Sequence, residues 1–525
     1  MTRFAKAAAW SVAIAIGAAS SHASATGFEE VGAELRARDK TEIELHGTFR
    51  TRAEVLHNLD LDRGLTPSGQ PLFPVPSNGG QSFLYGDQRL RTDFAAYALG
   101  GGVAIKTRID VLDDVALGGD PVGIPSASST QRTDGPGALR VKRAWGEART
   151  PIGVLAAGRM GSSWGLGMLA NGGDCADCDS GDAQDRLAFV TPLAGHIFAA
   201  AYDFSWIGPT AWRRDGVRKV GWAPSTAVHT FTFAALRYHD PLAVLRRTKA
   251  GKATLDYGAY VSHRWQTDDA PYEYLAITAE ARPAGSPIVG RGFRATAIDG
   301  WARFLAPAVR VELEAALLLS TIDQPSLLPG VRANFDVQSR QLGLALQSDF
   351  GAETDRFAAG FDAGYASGRS SPGFGAFYDP TAPAARAGDL DGPPNLSLDH
   401  RVDNFRFHPD YRIDRILFRE IVGTVTGTSY ARPHVRVDLA QLPTGTLRAS
   451  LAGIASFANV AANAPGGAKP LGVELDPTLA YASRDGFALA AEYAVLFPLA
   501  GLDNPRAGLS ARPAQLFRLR LTFAF

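Results

Sequence analysis

Lysine is scarce in this 525-residue chain: eight lysines stand beside 45 arginines. Guanidinium groups stay charged at any physiological pH and fork onto carboxylates and phosphates. The basic residues therefore suit fixed ion pairs or anion contacts, although a GC-rich genome would give the same bias. Only two cysteines are present, Cys175 and Cys178, which excludes a fold held by many disulfides. No second pair exists to complete a Cys-x-x-Cys zinc site. Acidic and basic residues are equal in number, 53 of each, too balanced for nucleic-acid binding. No later stretch supplies the ~20 apolar residues a membrane-spanning helix needs. The run Ala7 to Ala19 is short, follows Arg3 and Lys6, and leads to Ala23-Ser24-Ala25. That order is the basic, apolar and small-x-small pattern of a secretory signal peptide, so residues 1–25 are expected to be removed. Enzyme signatures are missing too: no Gly-x-Ser-x-Gly, no His-Glu-x-x-His, no Gly-Lys-Ser/Thr loop, and ten histidines without metal-like spacing. The expectation is a non-enzyme without a cofactor; a hydrolase whose triad is assembled in space is the remaining enzymatic reading.

What the chain has in quantity is alternation. In Gln515 to Phe525, Phe517, Leu519, Leu521, Phe523 and Phe525 fall on one face of a strand, and Arg518, Arg520, Thr522 and Ala524 on the other. An aromatic face backed by guanidinium groups predicts a strand with lipid outside and water inside. Thr41 to Val55 repeats the pattern: Ile43, Leu45, Phe49 and Val55 oppose Glu42, Glu44, His46, Arg50, Arg52 and Glu54. So many ionisable groups on one face would be ruinous in a dry core and are tolerable along an aqueous lumen. A hairpin follows, with Arg89, Arg91 and Asp93 on one strand and Lys106, Arg108 and Asp110 on the next, joined at Gly100-Gly101-Gly102.

Connections alternate between long polar segments (57–87, 113–137, 160–185, 459–471 and 499–513) and tight turns at 100–102, 150–153, 442–445 and 483–486. With weaker segments at 196–204, 228–238, 254–265, 272–281, 293–305, 309–321, 337–349 and 355–367, roughly 16 to 18 strands are predicted. The fold class is all-β: one antiparallel membrane-spanning barrel over residues 26–525, with long external loops. Between 370 and 432 the rhythm fails. That stretch is an external loop, an inward plug, or a loop followed by a strand pair.

Two segments carry candidate chemistry. Asp174 to Asp185 holds both cysteines and five aspartates. In a secreted protein a Cys175–Cys178 disulfide is the simplest reading, and Asp177, Asp179 and Asp182 are weak calcium candidates without a full twelve-residue calcium loop. Asn404 to Tyr430 mixes Arg406, His408, Asp410, Arg412, Arg415 and Arg419 with aromatic residues. Such Arg and carboxylate ladders either pass a charged polymer through many weak sites or close on themselves as salt bridges.

The terminal Phe525 closing an amphipathic strand resembles the ending of bacterial outer-membrane β-barrels. The whole pattern, from signal peptide to Arg-rich inner face, is similar to alginate-export and porin-like barrels. That resemblance implies residence in the bacterial outer membrane in contact with its lipid, and delivery to the barrel-assembly machinery through the C-terminal strand. It also implies a third external loop that narrows the lumen. The function expected is a channel for small polar or anionic solutes, or an exporter of anionic polysaccharide. Its transport residues would be Arg50, Arg52, Arg89, Arg91, Lys106, Arg108, Arg406, Arg412, Arg518 and Arg520, balanced by Glu42, Glu44, Asp93 and Asp110. The alternative is a surface adhesin or structural anchor with a plugged lumen.

Overall fold

A computed structural model describes residues 27–117, 139–206, 210–271, 288–328, 330–376, 383–395 and 400–525. The expected signal peptide, the strand at 272–281 and most of the loop at 113–137 lie outside the described residues. The first strands are β1 (Glu42–His57), β2 (Ser82–Tyr97), β3 (Val103–Ala116), β4 (Leu139–Thr150), β5 (Gly153–Gly161), β6 (Ala183–Leu193) and β7 (His196–Ser205). A small separate hairpin, β8 (Thr210–Trp212) and β9 (Lys219–Gly221), interrupts the series. The wall resumes with β10 (Val228–Arg237), β11 (Thr254–Asp269), β12 (Val289–Ala306), β13 (Val309–Ile322), β14 (Val337–Phe350) and β15 (Phe357–Ala366). It ends with β16 (Thr428–Leu442), β17 (Gly445–Ala458), β18 (Pro470–Ser483), β19 (Phe487–Pro498) and β20 (Ala514–Ala524).

Apart from the β8–β9 hairpin, the strands form one 18-stranded antiparallel sheet in which each pairs with its neighbour in sequence. β20 returns to β1 with Phe49 opposite Phe523, Arg52 opposite Arg520 and Glu54 opposite Arg518. Closure removes the backbone edge that lipid could not satisfy. The Gly47 and Phe525 backbones exchange hydrogen bonds at 3.0 Å, and a Cβ on Gly47 would come within 2.5 Å of the Phe525 ring. Gly47 is thus the only kind of residue that lets the terminal phenylalanine lie flat on the seam.

The predicted faces are the observed ones. Ile43, Leu45, Val55, Phe517 and Phe523 are exposed on the outside, while Arg50, Arg52, Glu54 and Arg518 are buried within. Leu255, Phe304, Leu313, Phe361, Leu475 and Phe497 carry the apolar belt round the wall. A closed barrel that is apolar outside and ionic inside is the architecture of a bacterial outer-membrane protein, and it uses 18 strands, within the expected range.

The turn end is compact at 98–102, 151–152, 194–195, 307–308, 443–444 and 484–486. It has one exception, a helix α1 (Pro241–Lys249) between β10 and β11. The longer connections between successive wall strands lie at the opposite end where their residues are described, and are numbered L1 to L9 in chain order. L7, spanning 367–427, is the stretch whose rhythm could not be phased. Its described residues fold inward as a loop with a π-helical turn at Leu417–Ile421, and β16 follows it.

Candidate functional site

L3 (162–182) and L7 meet inside the barrel, and the wall is built to receive them. Phe405, Phe407, Tyr411, Ile416, Phe418 and Val425 of L7 join Leu166 and Met168 of L3 in one buried apolar cluster. Opposite them the inner face switches from charge to small residues: Ala316, Ala345, Ala366, Ala452 and Ala494. On β14, a Cβ at Gly343 would come within 2.3 Å of the Phe405 ring. The lumen therefore contains a packed core made by a loop against the wall.

Two wall carboxylates pin these loops by their backbones. Glu314 on β13 accepts the N–H groups of Leu166, Met168 and Leu169 at 2.5, 3.4 and 3.4 Å. Glu474 on β18 accepts those of Arg415, Ile416 and Leu417 at 2.8, 2.8 and 3.0 Å. Sequence reasoning missed both. Their signal is present in hindsight as the matching runs Val311-Glu312-Leu313-Glu314 and Val473-Glu474-Leu475-Asp476, acids on the inward face of otherwise apolar strands.

The acidic tip of L3 faces the arginine ladder. Cys175 and Cys178 form a disulfide there. Arg50 donates to Asp87 at 3.2 Å and pairs with Asp114 and, at 2.8 Å, with Asp179. Arg52 reaches Asp87 at 2.8 Å and both Asp177 and Asp179 at 3.0 Å. The Arg89 guanidinium donates to the Cys178 carbonyl at 2.6 Å, and that of Arg91 to the Gly173 carbonyl at 2.6 Å and to Asp110. Arg108 bridges Asp93 at 2.6 Å and Asp174. From the L7 side Arg412 holds Asp179 at 2.6 Å, and Arg419 holds Asp177 at 2.6 Å. Arg518 binds Glu54 at 2.5 Å and lies 3.8 Å from Asp177, while Arg520 pairs with Glu492 at 3.0 Å.

Burial alone would raise the Asp177 carboxyl, but Arg419, Arg520, Arg412 and Arg518 outweigh it and hold the group well below the usual carboxylate range. Asp179 is likewise lowered, by Arg412, Arg52 and Arg50 against the cost of burial. These contacts bear on the calcium reading. Asp177 and Asp179 are surrounded by guanidinium groups that would repel a cation, and Asp182 instead accepts the Asn171 N–H at 3.3 Å and lies near His408. Among the described residues no cluster of acids, histidines or cysteines suits a metal.

The other candidate residues sit apart from this network. Glu42 and Glu44 pair with Arg38 near the turn end, and Arg406 donates to the Ala376 carbonyl at 3.2 Å. Lys106 is drawn to Glu34 at 3.0 Å and Glu147 at 3.3 Å. Glu34 belongs to a segment, 27–41, that lies along the inner wall. Its Phe28 and Val31 are buried among Met160, Trp164 and Ala188, and Leu35 beside Tyr97. Nothing in the sequence distinguished that segment from a surface tail.

No sequence family and no curated protein matches this chain. Solved structures do resemble it. The outer membrane protein OpdK of Pseudomonas aeruginosa aligns over 92% of this chain and 98% of its own, at 9% identity and a TM-score of 0.46. OccK11 (OpdR) of the same organism covers 92% and 96%, at 12% identity and a TM-score of 0.43. OmpT, an outer membrane protein of Vibrio cholerae, covers 94% and 100%, at 9% identity and a TM-score of 0.35.

Proposed function

We propose that the protein is an outer-membrane channel for small polar or anionic solutes, with L3 and L7 together forming its constriction. The reading rests on one observation above all: the inner wall of β1, β2, β3 and β20 is ionic, and the loops L3 and L7, not wall side chains, fill the space beside it. An 18-stranded wall encloses enough room for an aqueous path. Within the same proposal fall a porin-like or alginate-export-like role with anionic polysaccharide as the largest cargo, a cleaved signal peptide, and insertion guided by the C-terminal strand.

A second reading, the anchor with a plugged lumen, is favoured by a specific fact. Arg50, Arg89 and Arg518 are each only 1% exposed, because wall carboxylates together with carboxylates and carbonyls of L3 already occupy them. Planar-bilayer recording separates the two. Stepwise openings by the purified barrel support the channel, and silence from a folded barrel supports the anchor. Deleting residues 171–184 removes the acidic tip and is expected to raise single-channel conductance. An unchanged conductance would refute the assignment of L3 as the constriction.

A further inference from the structure

The β8–β9 hairpin of L4 has a composition unlike the rest of the outer rim. It pairs Thr210 with Gly221, Ala211 with Val220 and Trp212 with Lys219, outside the barrel sheet. Three of the chain's eight tryptophans lie on it or at its base, and all are exposed: Trp206 at 45%, Trp212 at 63% and Trp222 at 68%. A Cβ on Gly221 would overlap the Trp206 indole, so the glycine lets that ring lie directly on the hairpin backbone. Four cations accompany the rings, Arg213, Arg214, Arg218 and Lys219, against a single acid, Asp215. Arg213 is 3.7 Å from that acid, and the Lys219 ammonium is 5.1 Å from the Trp212 ring centre. The surplus of three positive charges stands out in a chain whose acidic and basic residues are equal in number.

The hairpin also continues the lipid-facing wall. Outward rings run without a break from Trp265 to His229 (5.3 Å), His229 to Phe204 (5.6 Å) and Phe204 to Trp206 (5.6 Å). Aromatic girdles of this kind mark the level of the headgroups, and L4 lies at the long-loop end, which faces the outer leaflet. We propose that the β8–β9 hairpin binds the phosphorylated sugar headgroup of an outer-leaflet glycolipid. Indole faces present apolar, electron-rich surface to the C–H face of a sugar ring. Guanidinium forks meet phosphate with two parallel hydrogen bonds. A membrane source is favoured over a soluble polymer because the girdle delivers the rings at headgroup level, where a lipid is already present at high local concentration.

The test uses the full-length barrel in detergent, with native mass spectrometry counting retained molecules of rough-type lipopolysaccharide. Two variants are compared: Arg213→Gln/Arg214→Gln/Arg218→Gln, and Trp212→Ser/Trp222→Ser. Because the hairpin stands outside the barrel sheet, both should keep the heat-modifiable mobility of a folded barrel. Retention is expected to fall about tenfold in each, and wild type is expected to discriminate strongly against the dephosphorylated lipid. Equal retention by folded variants overturns the proposal. So does equal binding of the dephosphorylated lipid by wild type, a measurement that needs no variant. Tight binding of soluble alginate by the lipid-free barrel would assign the hairpin to a free polysaccharide and overturn the lipid assignment.

Discussion

Replacing Asp177 with asparagine is expected to swing the lumen towards anions and to loosen L3. The Asp177 carboxylate touches Arg419 at 2.6 Å, Arg52 at 3.0 Å and Arg412 at 3.3 Å, with Arg518 at 3.8 Å. Asparagine keeps the shape and removes the charge, leaving these guanidinium groups facing the path with one fewer counter-ion. In a confined, poorly screened space, charge near the path decides which ions enter. Reversal potentials in a salt gradient should therefore move severalfold in favour of chloride. Stability should fall as well. Breaking a fully buried pair costs about 3–5 kcal/mol, and with Asp177 retaining 22% exposure a loss of about 1–3 kcal/mol is expected. Asp179→Asn should act in the same direction through Arg50, Arg52 and Arg412. Unchanged selectivity in both variants, each shown to be folded, would mean that these arginines do not face the conducting path.

The same pairing predicts what acid does. Asp177 and Asp179 have carboxyls lowered from the ordinary value, so their contribution to stability is complete above the unfolded pKa near 4 and is lost only as pH falls through the depressed folded values. Mild acid should leave L3 in place.

The wall was legible in the sequence and the contents of the lumen were not. Period-two alternation in 42–54, 89–110 and 515–525 follows from one face meeting lipid and the other water, and each residue reports its face independently. The acidic tip of L3 was visible as composition, and its disulfide followed from compartment. Its partners were not visible, since Asp177 meets Arg419 across 242 residues of sequence and no local rule links them. L7 defeated the rhythm for a physical reason. A loop that packs on the wall needs apolar residues in irregular order, as in the buried Phe405, Phe407, Tyr411, Ile413 and Ile416, whose spacing holds neither a strand nor a helix period. The five alanines that receive it read as ordinary strand filler, because smallness is informative only once the partner is known. The segment at 27–41 was unreadable on the same grounds.

Replacing Glu474 with glutamine is expected to release L7 and to give the largest rise in conductance of any single wall substitution. The carboxylate takes three consecutive backbone N–H groups, from Arg415, Ile416 and Leu417. A glutamine amide offers one acceptor oxygen and turns a donor toward the remaining N–H groups. A buried hydrogen bond is worth about 0.5–1.5 kcal/mol net, and stranding a buried donor costs about 1–3 kcal/mol more. The π-helical turn that follows carries Arg419, so its release also withdraws the 2.6 Å partner of Asp177. Glu314→Gln should do the same to L3 through Leu166 and Met168. Raising the pH from acid towards neutral should mimic the Glu474 substitution in part. Burial pushes the Asp414 carboxyl up to about 7, against donation from the Phe418 N–H and with the neighbouring Asp476 adding to the rise. A folded pKa raised above the unfolded one stabilises the protonated, docked loop below about pH 4, and that stability is lost as pH climbs through 7. Gating noise should therefore grow between about pH 4 and pH 7, and Asp414→Asn should flatten the dependence. A Glu474→Gln barrel that stays folded and conducts like wild type at every pH would show that L7 is held by its apolar packing alone.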